Sequence, residues 1–377
     1  MERTILEIVQ KTPDYRKGNA IRHKLVDILM IAILTFICNG NGYAAMRIFG
    51  KNHESELKKF LELPNGIPSQ DTFEHVFAKL NPKTLSSTLR ETQDDIRKEA
   101  LNNERLLASI DGKTLCGSKR LDEKAVHIVS AYASELRLVL GELATEAKSN
   151  EITAIPKLLE MFCKKGMVIT IDAMGTQTKI AEEIIAKEAD YVLSVKGNQE
   201  TLHTDISLLV EYELIPEDKD ELRRNGQYEN TIEKGHGRIE TRECYICPET
   251  DWLTAPHLWK GLTGFGVIIS KRELIGKAPT FSKEYFIYSL DNTSAAELLH
   301  IKKSHWSIEN SLHWVLDVVF REDDSRARLE NAPENLNVIR KHAAQSLRSH
   351  ASEGSISGKR YLCSLNLSYA LDVAGVK

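Results

Sequence analysis

The segment HWSIENSLHW, residues 305–314, places a carboxylate within a stretch that otherwise has the pattern of a buried helix. At helical spacing Glu309 shares one face with His305, Trp306 and His313. A carboxylate in such surroundings needs a cation, a hydrogen-bond donor or a metal ion as its partner. A solvated residue, or an ion pair with a basic neighbour, is the ordinary alternative on a helix. Glu309 is therefore a candidate metal ligand.

Two aspartates stand at the ends of predicted strands. Asp111 ends the apolar run in RLLASIDGKTL, and Asp172 ends the one in MVITIDAMG. If these strands are parallel and adjacent, as a right-handed crossover favours, both carboxylates emerge at one edge of the sheet. Their repulsion is tolerable around a divalent cation such as Mg²⁺, which takes oxygen ligands. Each aspartate taken singly is more often a turn residue or a helix N-cap. With Glu309 as a third ligand, the set predicts a metal site.

Residues 1–100 have a helical pattern, which predicts an all-helical N-terminal domain. The apolar run ILMIAILTFIC, Ile28 to Cys38, has 11 residues. That is too short for the roughly 20 that cross a bilayer, so it predicts a buried core helix. HESELKKFLEL and PSQDTFEHVFAKL flank the turn LPNGIPSQD. The pair could be a helix-turn-helix that reads DNA, although two helices packing on a neighbour have the same spacing and are commoner.

From about residue 104 the pattern becomes that of an α/β fold. RLLASIDGKTL, AVHIVSAYAS and LRLVLGELAT predict a three-stranded meander. A helix closed by Lys164, Lys165 and Gly166 follows. MVITIDAMG, TQTKIAEEIIAKEA and DYVLSVKGNQ then predict a strand, a helix and a strand. The predicted order is β-β-β-α-β-α-β.

A segment of about residues 205–284 interrupts this order and predicts a mostly β insertion, with strands in IETRECYIC, GFGVIISKREL and EYFIYSL. Ser294 and Glu297 then form a Ser-x-x-Glu capping box that opens a long helix through Phe320. SEGSISG predicts a flexible joint, and no definite structure is predicted for the C-terminal tail, 346–377.

Composition narrows the class of protein. A chain of 377 residues is long enough for two domains, or for one domain with an insertion. The N-terminus lacks the apolar core of a secretory signal and the six cysteines have no regular spacing, so a cytosolic protein with reduced thiols is expected. The net charge of −4 excludes a uniformly basic coat but allows local basic patches for nucleic acid.

Two short motifs do not define sites. Cys244 and Cys247 form a lone C-x-x-C without the second pair of ligands that a structural zinc needs. DGKT, residues 111–114, is not a phosphate-binding P-loop, because Leu107 stands where that motif requires glycine. A nucleotide-hydrolysing enzyme is therefore disfavoured.

Six segments follow one another in a characteristic order: SIDGKTL, KSNEITAIPKLL, TIDAMGTQTKIAEEI, DYVLSVKGNQ, EKGHGRIETR and HWSIENSLHWVLDVVFREDDSR. They resemble the successive motifs of insertion-sequence transposases of the H-repeat-associated (Rhs-element) type, a branch of the DDE transposases. The N-terminal DYRKGNAIRHKLVDIL resembles the associated domain of that family. The resemblance implies a ribonuclease-H-like catalytic core over 101–345, with a mixed five-stranded sheet and helices. It also implies that Asp111, Asp172 and Glu309 form the metal-binding catalytic triad.

The resemblance further implies a transposase that cuts element ends and joins them to target DNA. Two Mg²⁺ ions, with Mn²⁺ as a substitute, serve this chemistry by activating the nucleophile and stabilising the leaving oxygen. Asp111 is expected to bridge the ions, and Asp172 and Glu309 to hold one each. Double-stranded DNA is the expected partner, with no membrane, a homo-oligomer in the DNA complex, and a bacterial cytoplasmic location associated with the nucleoid. Two alternatives stay open. The protein could be a nuclease without strand transfer, or a transposase descendant that binds DNA but has lost its catalytic activity.

Basic residues near the triad are candidates for contacts with the DNA backbone. Lys196 ends DYVLSVKGNQ and is expected at the sheet edge that carries the aspartates, and Lys113 lies two residues after the first of them. In GHGRIETRE, strand alternation puts His236, Arg238 and Arg242 on one face. A phosphate clamp and an ordinary solvated polar face both fit this pattern.

One signature differs from the family. Related transposases carry Tyr, Arg, Glu and Lys around the catalytic glutamate, and the corresponding positions here are Lys302, His305, Glu309 and Leu316. Lys302 and His305 are therefore further candidates for DNA contacts. No DNA contact is expected from Leu316, because the basic side chain is missing there.

Overall fold

The computed structural model describes residues 4–18, 21–93, 105–119, 124–145, 151–212, 214–215, 219–235 and 237–376. The chain divides into two compact units. The first unit combines Met1–Glu99, Lys113–Ile128 and Glu309–Lys377, and the second combines Ala100–Gly112 and Val129–Ile308. The C-terminal residues therefore fold with the N-terminal helices.

Helices and strands are numbered here in chain order over the described residues. The helices are α1 (Ile5–Val9), α2 (Leu25–Ile37), α3 (Gly42–Asn52), α4 (Glu54–Leu57), α5 (Gln70–Lys79), α6 (Pro82–Arg90), α7 (Glu151–Phe162), α8 (Thr178–Ala186), α9 (Glu200–Tyr212), α10 (Asp220–Arg224), α11 (Ala295–Ile308), α12 (Ala332–Ser349), α13 (Ile356–Leu365) and α14 (Leu367–Val373). The strands are β1 (Leu107–Thr114), β2 (His127–Ala133), β3 (Leu138–Thr145), β4 (Val168–Ile171), β5 (Asp190–Val195), β6 (Tyr228–Gly235), β7 (Arg238–Cys247), β8 (Gly264–Leu274) and β9 (Thr280–Tyr288).

The first unit is built around α2, which is buried on every side from Ile28 to Ile37. This confirms the predicted core helix. The long helix α12 packs against α2, α5 and α6 and supplies Leu336 and Ile339 to the same core. Among the described helices none alone has the length and apolarity to span a membrane; only α2 and α3 taken together do, and they are bent by 99° to each other.

The helix pair considered for DNA reading is a packing element of the first unit. The Ser69 hydroxyl accepts a hydrogen bond from the Thr72 N–H at 3.2 Å and begins α5, as the sequence predicts. The buried face of α5, with Phe73 and Phe77, packs on α3 and α12. The helix predicted before the turn is only the short α4, because the chain leaves helical geometry after Leu57. Helix packing therefore accounts for the pattern.

The second unit contains a mixed sheet with strand order β3-β2-β1-β4-β5-β9-β8-β7-β6. The element order β1, β2, β3, α7, β4, α8, β5 confirms the predicted β-β-β-α-β-α-β. β1 pairs with β4 and β4 pairs with β5, both in parallel. The crossovers through α7 and α8 make these parallel pairs possible.

The expected five-stranded sheet is wrong in its number of strands, since nine are described. β9 pairs antiparallel with β5, with Leu193 opposite Ile287, and β8, β7 and β6 extend the same sheet. Without β9, the outer edge of β5 would present unpaired backbone N–H and C=O groups, and β9 of the insertion pairs with them. Periodicity predicted β7, β8 and β9 but not β6, and it did not show where these strands would pair.

The long helix before residue 320 changes geometry along its length. The Glu297 N–H donates to the Ser294 Oγ at 3.3 Å, which confirms the predicted N-cap of α11. The α-helix ends at Ile308, and π-helical segments continue it over Glu309–His313 and Val315–Val319. The C-terminal tail, for which no definite structure was predicted, forms α13 and α14 and contributes to the core of the first unit.

Candidate active site

Two neighbouring parallel strands bring Asp111 and Asp172 to the same edge of the sheet. β1 and β4 pair with Ile110 opposite Ile171. Asp172 directly follows β4, whereas Asp111 directly follows Ile110 within β1, which continues to Thr114, so the prediction that Asp111 ends its strand is wrong. The predicted parallel and adjacent arrangement is therefore confirmed for this pair of strands. Like charges placed so close favour a shared cation.

The turn after β4 is built around Gly175. Its N–H donates to the Asp172 Oδ1 at 3.1 Å, and a Cβ added there would lie 2.3 Å from the Ile171 Cγ2. The Thr176 hydroxyl donates to the Ser194 carbonyl at 2.6 Å and ties the turn to β5. Only glycine fits this position, and the turn orients the Asp172 carboxylate.

The surroundings of Asp172 disfavour its negative charge. Burial raises the pKa of Asp172 and the charge of Glu151 raises it further, while the Gly175 N–H and the Lys196 ammonium lower this pKa and do not cancel the rise. Lys196 directly follows β5 and is exposed, and its charge acts on Asp172 at the same edge. A divalent cation would stabilise the ionised carboxylate here.

Glu309 lies at the transition from α-helix to π-helix. Its side chain is 68% exposed, and its role as a metal ligand stays a prediction. Its Oε2 lies 3.1 Å from the Nδ1 of His313, which is buried and one turn further on. The helix buries the face of Leu312 and His313 and leaves Glu309 towards the solvent. A π-helical segment in a longer helix is often found at functional sites.

Lys302 is buried within the second unit, which contradicts a direct DNA contact. It has no exposed surface. Its Nζ donates to the Ser194 Oγ at 2.6 Å and lies 2.6 Å from the Glu284 Oε1. A buried ammonium needs such partners, and they come from β5 and β9. The family-based expectation failed because these strands cover the side chain.

His305 is likewise buried, which contradicts the second DNA contact expected on α11. Its Nδ1 lies 2.9 Å from the Thr170 Oγ1, and that hydroxyl donates to the Ser109 Oγ at 3.1 Å. Burial, together with the smaller effect of the Lys302 charge, lowers the pKa of His305 to about 3. The ring is therefore a neutral packing and hydrogen-bonding group.

The basic face predicted in the β6–β7 hairpin is paired with carboxylates. The Arg238 Nε lies 3.0 Å from the Glu240 Oε1, and the Arg242 Nη1 lies 2.7 Å from the Glu233 Oε2. Arg242 also contacts Glu240, so the predicted alternation of side chains along β7 is present. His236 lies outside the described residues. The DNA clamp on this face stays a prediction.

Lys113 belongs to an ion network in the first unit. Its Nζ lies 2.5 Å from the Asp317 Oδ1 and 3.8 Å from the Glu322 Oε2. Burial lowers the pKa of Lys113, but the hydrogen bond to Asp317 and the acidic charges nearby outweigh it and raise this pKa overall. Leu316 is fully buried, in keeping with its lack of charge. Lys113 therefore already has carboxylate partners.

Sequence reasoning missed the polar residues that support the site. Ser109 and Thr170 lie in the apolar runs that predict β1 and β4, and each stands two residues before a candidate aspartate and so on the same face. Ser194 likewise lies in the apolar run that predicts β5. The alternation of period two was the signal that could have identified the first two.

Two family models match the chain. Residues 103–345 match the model described as transposase DDE domain, and residues 6–91 match the one described as DDE_Tnp_1-associated. The chain belongs to the DDE transposase family. It is therefore a DNA transposase with the nuclease and transferase chemistry of that family. The resemblance of its six motifs is confirmed.

Relatives of this DDE transposase cover most of its length. It is 37% identical over 376 residues to "Putative transposase YncI" of Escherichia coli O157:H7. The alignment covers 98% of this chain and 94% of that protein. It is 36% identical over 346 residues to "H repeat-associated putative transposase YhhI" of Escherichia coli K12, which spans 89% of this chain and 88% of that protein.

A solved structure also aligns with this chain. The cryo-EM structure of the piggyBac transposase synaptic complex with hairpin DNA is 13% identical with a TM-score of 0.40, over 98% of this chain and 76% of that one.

Proposed function

We propose that Asp111, Asp172 and Glu309 hold the divalent cations with which this transposase hydrolyses a phosphodiester at each element end and joins the released end to target DNA. The proposed cations are two Mg²⁺ ions, with Mn²⁺ as a substitute. The observation that carries the proposal is the placement of Asp111 and Asp172 directly after the paired residues Ile110 and Ile171 of adjacent parallel strands.

The donor set suits a hard divalent cation. All three candidates are carboxylates, and oxygen ligands are those that Mg²⁺ takes. Burial raises the pKa of Asp172, so a cation beside it would stabilise its ionised form. When bound, such ions supply the positive charge that activates the attacking oxygen and stabilises the leaving oxygen.

The chain's own residues fix the directions of two ligands. The Gly175 N–H donates to the Asp172 Oδ1, and the buried His313 ring contacts the Glu309 Oε2. Fixed ligands lose less freedom on binding a cation than mobile ones do. These partners therefore act as positioning residues for the proposed triad.

We propose Lys196 as a phosphate contact, since it is exposed and its charge reaches Asp172. Arg238 stays a candidate because its side chain is still 38% exposed beside its ion-pair partner Glu240. Lys113 and Arg242 could contact phosphate only after their ion pairs with Asp317 and Glu233 are broken. His236 remains a candidate from its position in the sequence alone.

The wider architecture that we propose follows the family. The strand order β3-β2-β1-β4-β5 supports a ribonuclease-H-like catalytic domain over 101–345 with a mostly β insertion at about 205–284. Residues 1–100 are the helical associated domain with a role in DNA binding, and 346–377 form the C-terminal tail. The proposed partner is double-stranded DNA of the element ends and target, bound by a homo-oligomer in the cytoplasm next to the nucleoid.

The experiment supplies labelled element ends and target DNA with Mg²⁺ or Mn²⁺. Joined products support transposition, cleavage alone indicates a nuclease, and binding without either indicates a lapsed enzyme. Asp111→Asn, Asp172→Asn and Glu309→Gln should each abolish cleavage while DNA affinity stays close to that of the wild type, because the ligands and not the DNA-binding surface are changed.

Glu182→Gln is the matched control, because Glu182 is an exposed carboxylate on α8. It should cleave like the wild type. A triad variant that cleaves at the wild-type rate would remove that residue from the proposed site.

A further inference from the structure

Two chain segments that follow proposed metal ligands contact each other within the first unit. Residues 113–118 begin two residues after Asp111, and residues 317–328 begin eight residues after Glu309. Both segments belong to the first unit, and a helical turn of one packs against a helical turn of the other. Contacts between these segments therefore act close, along the chain, to two of the three proposed ligands.

The polar contact between the segments is an ion pair that is largely shielded from water. The Lys113 Nζ lies 2.5 Å from the Asp317 Oδ1, and the two side chains are 10% and 30% exposed. Glu322 and Asp323 add carboxylate oxygens at 3.8 Å and 4.0 Å from the same Nζ. Removing the ammonium would leave like charges close together, and these repel one another. Lys113 therefore holds the two segments together.

The second contact is a close approach of the two backbones at Gly117. A Cβ added there would lie 1.8 Å from the Ser325 carbonyl oxygen, so a larger residue does not fit. The Arg328 Nε donates to the Gly117 carbonyl at 3.1 Å. Glycine is typical of a position where another backbone comes this close. The spacing of the segments is thus fixed by backbone atoms as well as by the ion pair.

The ion pair acts on the same helical stretch that carries Glu309. Glu309 and Asp317 lie in consecutive π-helical segments, Glu309–His313 and Val315–Val319. π-Helical turns are rare and occur mostly at functional sites. A side chain that fixes Asp317 therefore restrains the stretch from which the Glu309 carboxylate projects.

We propose that Lys113 and Asp317 are a positioning pair for the transposition reaction. Their ion pair, with the close contact at Gly117, holds the chain that follows Asp111 against the helical stretch of Glu309. The inference rests on the proposed function, because it requires both carboxylates to hold the same cations. Lys113 thus acts by fixing positions and is not a phosphate contact. Residues that orient metal ligands without binding the metal typically change metal affinity or activity by about 10- to 100-fold.

The test breaks the ion pair from either side in the full chain. Lys113→Gln and Asp317→Asn should each lower cleavage of a labelled element end with Mg²⁺ by about 10- to 100-fold. The double variant should lose little more than the more affected single variant, because the pair is already broken. Lys113→Arg keeps the ion pair and should retain most of the cleavage.

A second measurement is Mn²⁺ affinity without DNA, by electron paramagnetic resonance. Each variant is compared with the same variant carrying Asp111→Asn, so that only the binding that depends on Asp111 is counted. By charge alone, loss of the Lys113 ammonium would strengthen cation binding and loss of the Asp317 carboxylate would weaken it. A positioning pair predicts weaker binding in both Lys113→Gln and Asp317→Asn, again by about 10- to 100-fold.

Lys187→Gln and Glu160→Gln are matched controls. These two residues form an ion pair of 2.6 Å in the second unit, and neither is adjacent in sequence to a proposed ligand. Both variants should cleave and bind Mn²⁺ like the wild type. Thermal melting checks the folding of every variant, and Asp317→Asn, which changes one atom of a partly exposed side chain, should fold even if Lys113→Gln does not.

Three results would overturn the proposal. They are wild-type cleavage by both Lys113→Gln and Asp317→Asn, opposite shifts of their Mn²⁺ affinities, and a slope of log DNA affinity against log salt reduced by about one in Lys113→Gln, which would make Lys113 a phosphate contact. The proposed function is tested separately by Asp111→Asn. If that variant cleaves and binds Mn²⁺ like the wild type, the proposed function fails and the positioning pair with it. If it loses both activities while the pair variants keep them, only the positioning pair is wrong.

Discussion

Each of the two units buries a basic side chain, and they do so differently. In the second unit Lys302 lies 2.6 Å from Glu284, whose side chain is still 25% exposed, and it also donates to Ser194. In the first unit the Arg340 Nη1 lies 3.4 Å from Glu322, and that carboxylate is only 2% exposed. In the second unit the carboxylate of Glu284 is therefore still in contact with water. In the first unit both Arg340 and Glu322 are shielded from water.

This difference in exposure determines how much stability is lost when the Lys302–Glu284 or the Arg340–Glu322 ion pair is broken. A charge left alone in the interior loses its hydration without compensation, while a charge that reaches water does not. Glu322 also lies near Lys113 and accepts a hydrogen bond from the Asn337 amide at 2.9 Å, so it joins several elements of its unit. The network of the first unit should therefore be the more sensitive of the two.

The largest expected effect is on stability. Glu322→Gln should lower the free energy of unfolding by about 3–5 kcal/mol, because it leaves the buried Arg340 without its carboxylate. Glu284→Gln should lower it by only about 1 kcal/mol, because Ser194 still accepts from Lys302. Urea denaturation of the full chain measures both. Equal losses would show that the exposure of the carboxylate does not decide the cost.

The turn at the sheet edge should show the next largest effect. Gly175→Ala forces a Cβ to within 2.3 Å of Ile171, which should cost about 1–3 kcal/mol and displace the Asp172 carboxylate. Gly197→Ala is the control at the same edge, since a Cβ there meets no described atom within 4 Å. Cleavage should fall strongly in the first variant only. Comparable cleavage by both variants would argue against orientation of Asp172 by this turn.

The buried histidines predict how stability depends on pH. Burial lowers the pKa of His342 to about 4 and that of His305 to about 3, from the usual 6.5. Below pH 6.5 the unfolded chain takes up protons that these folded rings do not, so stability falls as the pH falls towards 4. His342→Gln should make the melting temperature less dependent on pH between 6.5 and 4. His257→Gln, at an exposed position, should leave this dependence unchanged.

The smallest expected effect is on the salt dependence of DNA affinity, which should differ between a variant of the exposed Lys196 and one of the buried Lys302. Lys196→Met should reduce the slope of log affinity for DNA against log salt by about one, because one phosphate contact is lost. Lys302→Met should leave the slope unchanged, because this side chain is buried against Ser194 and Glu284. An equal reduction for Lys302→Met would mean that α11 exposes this lysine when DNA binds.

Much of the fold could be predicted because the informative signals were local. Hydrophobic periodicity gave the order from β1 to β5, the Ser294 cap gave the start of α11, and the chain order with two crossovers made β1 and β4 parallel neighbours. The placement of Asp111 and Asp172 directly after the paired residues Ile110 and Ile171 followed from these elements. Six motifs in order indicated the family, which the matching family models confirm.

The remaining features depend on partners far apart in the chain. Lys302 and His305 look like exposed basic residues of a helix until β4, β5 and β9 place Thr170, Ser194 and Glu284 beside them. The nine-stranded sheet likewise depends on where the insertion pairs.

The amino-acid sequence by itself determined most helices and strands up to α11 and the types of reactive side chain, because periodicity and capping act over a few residues. Only the tertiary structure decided which charges are buried and which side chains meet, because burial and pairing depend on segments that lie close in space after folding. Arg340 and Glu322 are 18 residues apart, while Lys302 and Ser194 are 108 apart. Periodicity and capping, which act over a few residues, do not reveal contacts between residues so far apart in the sequence.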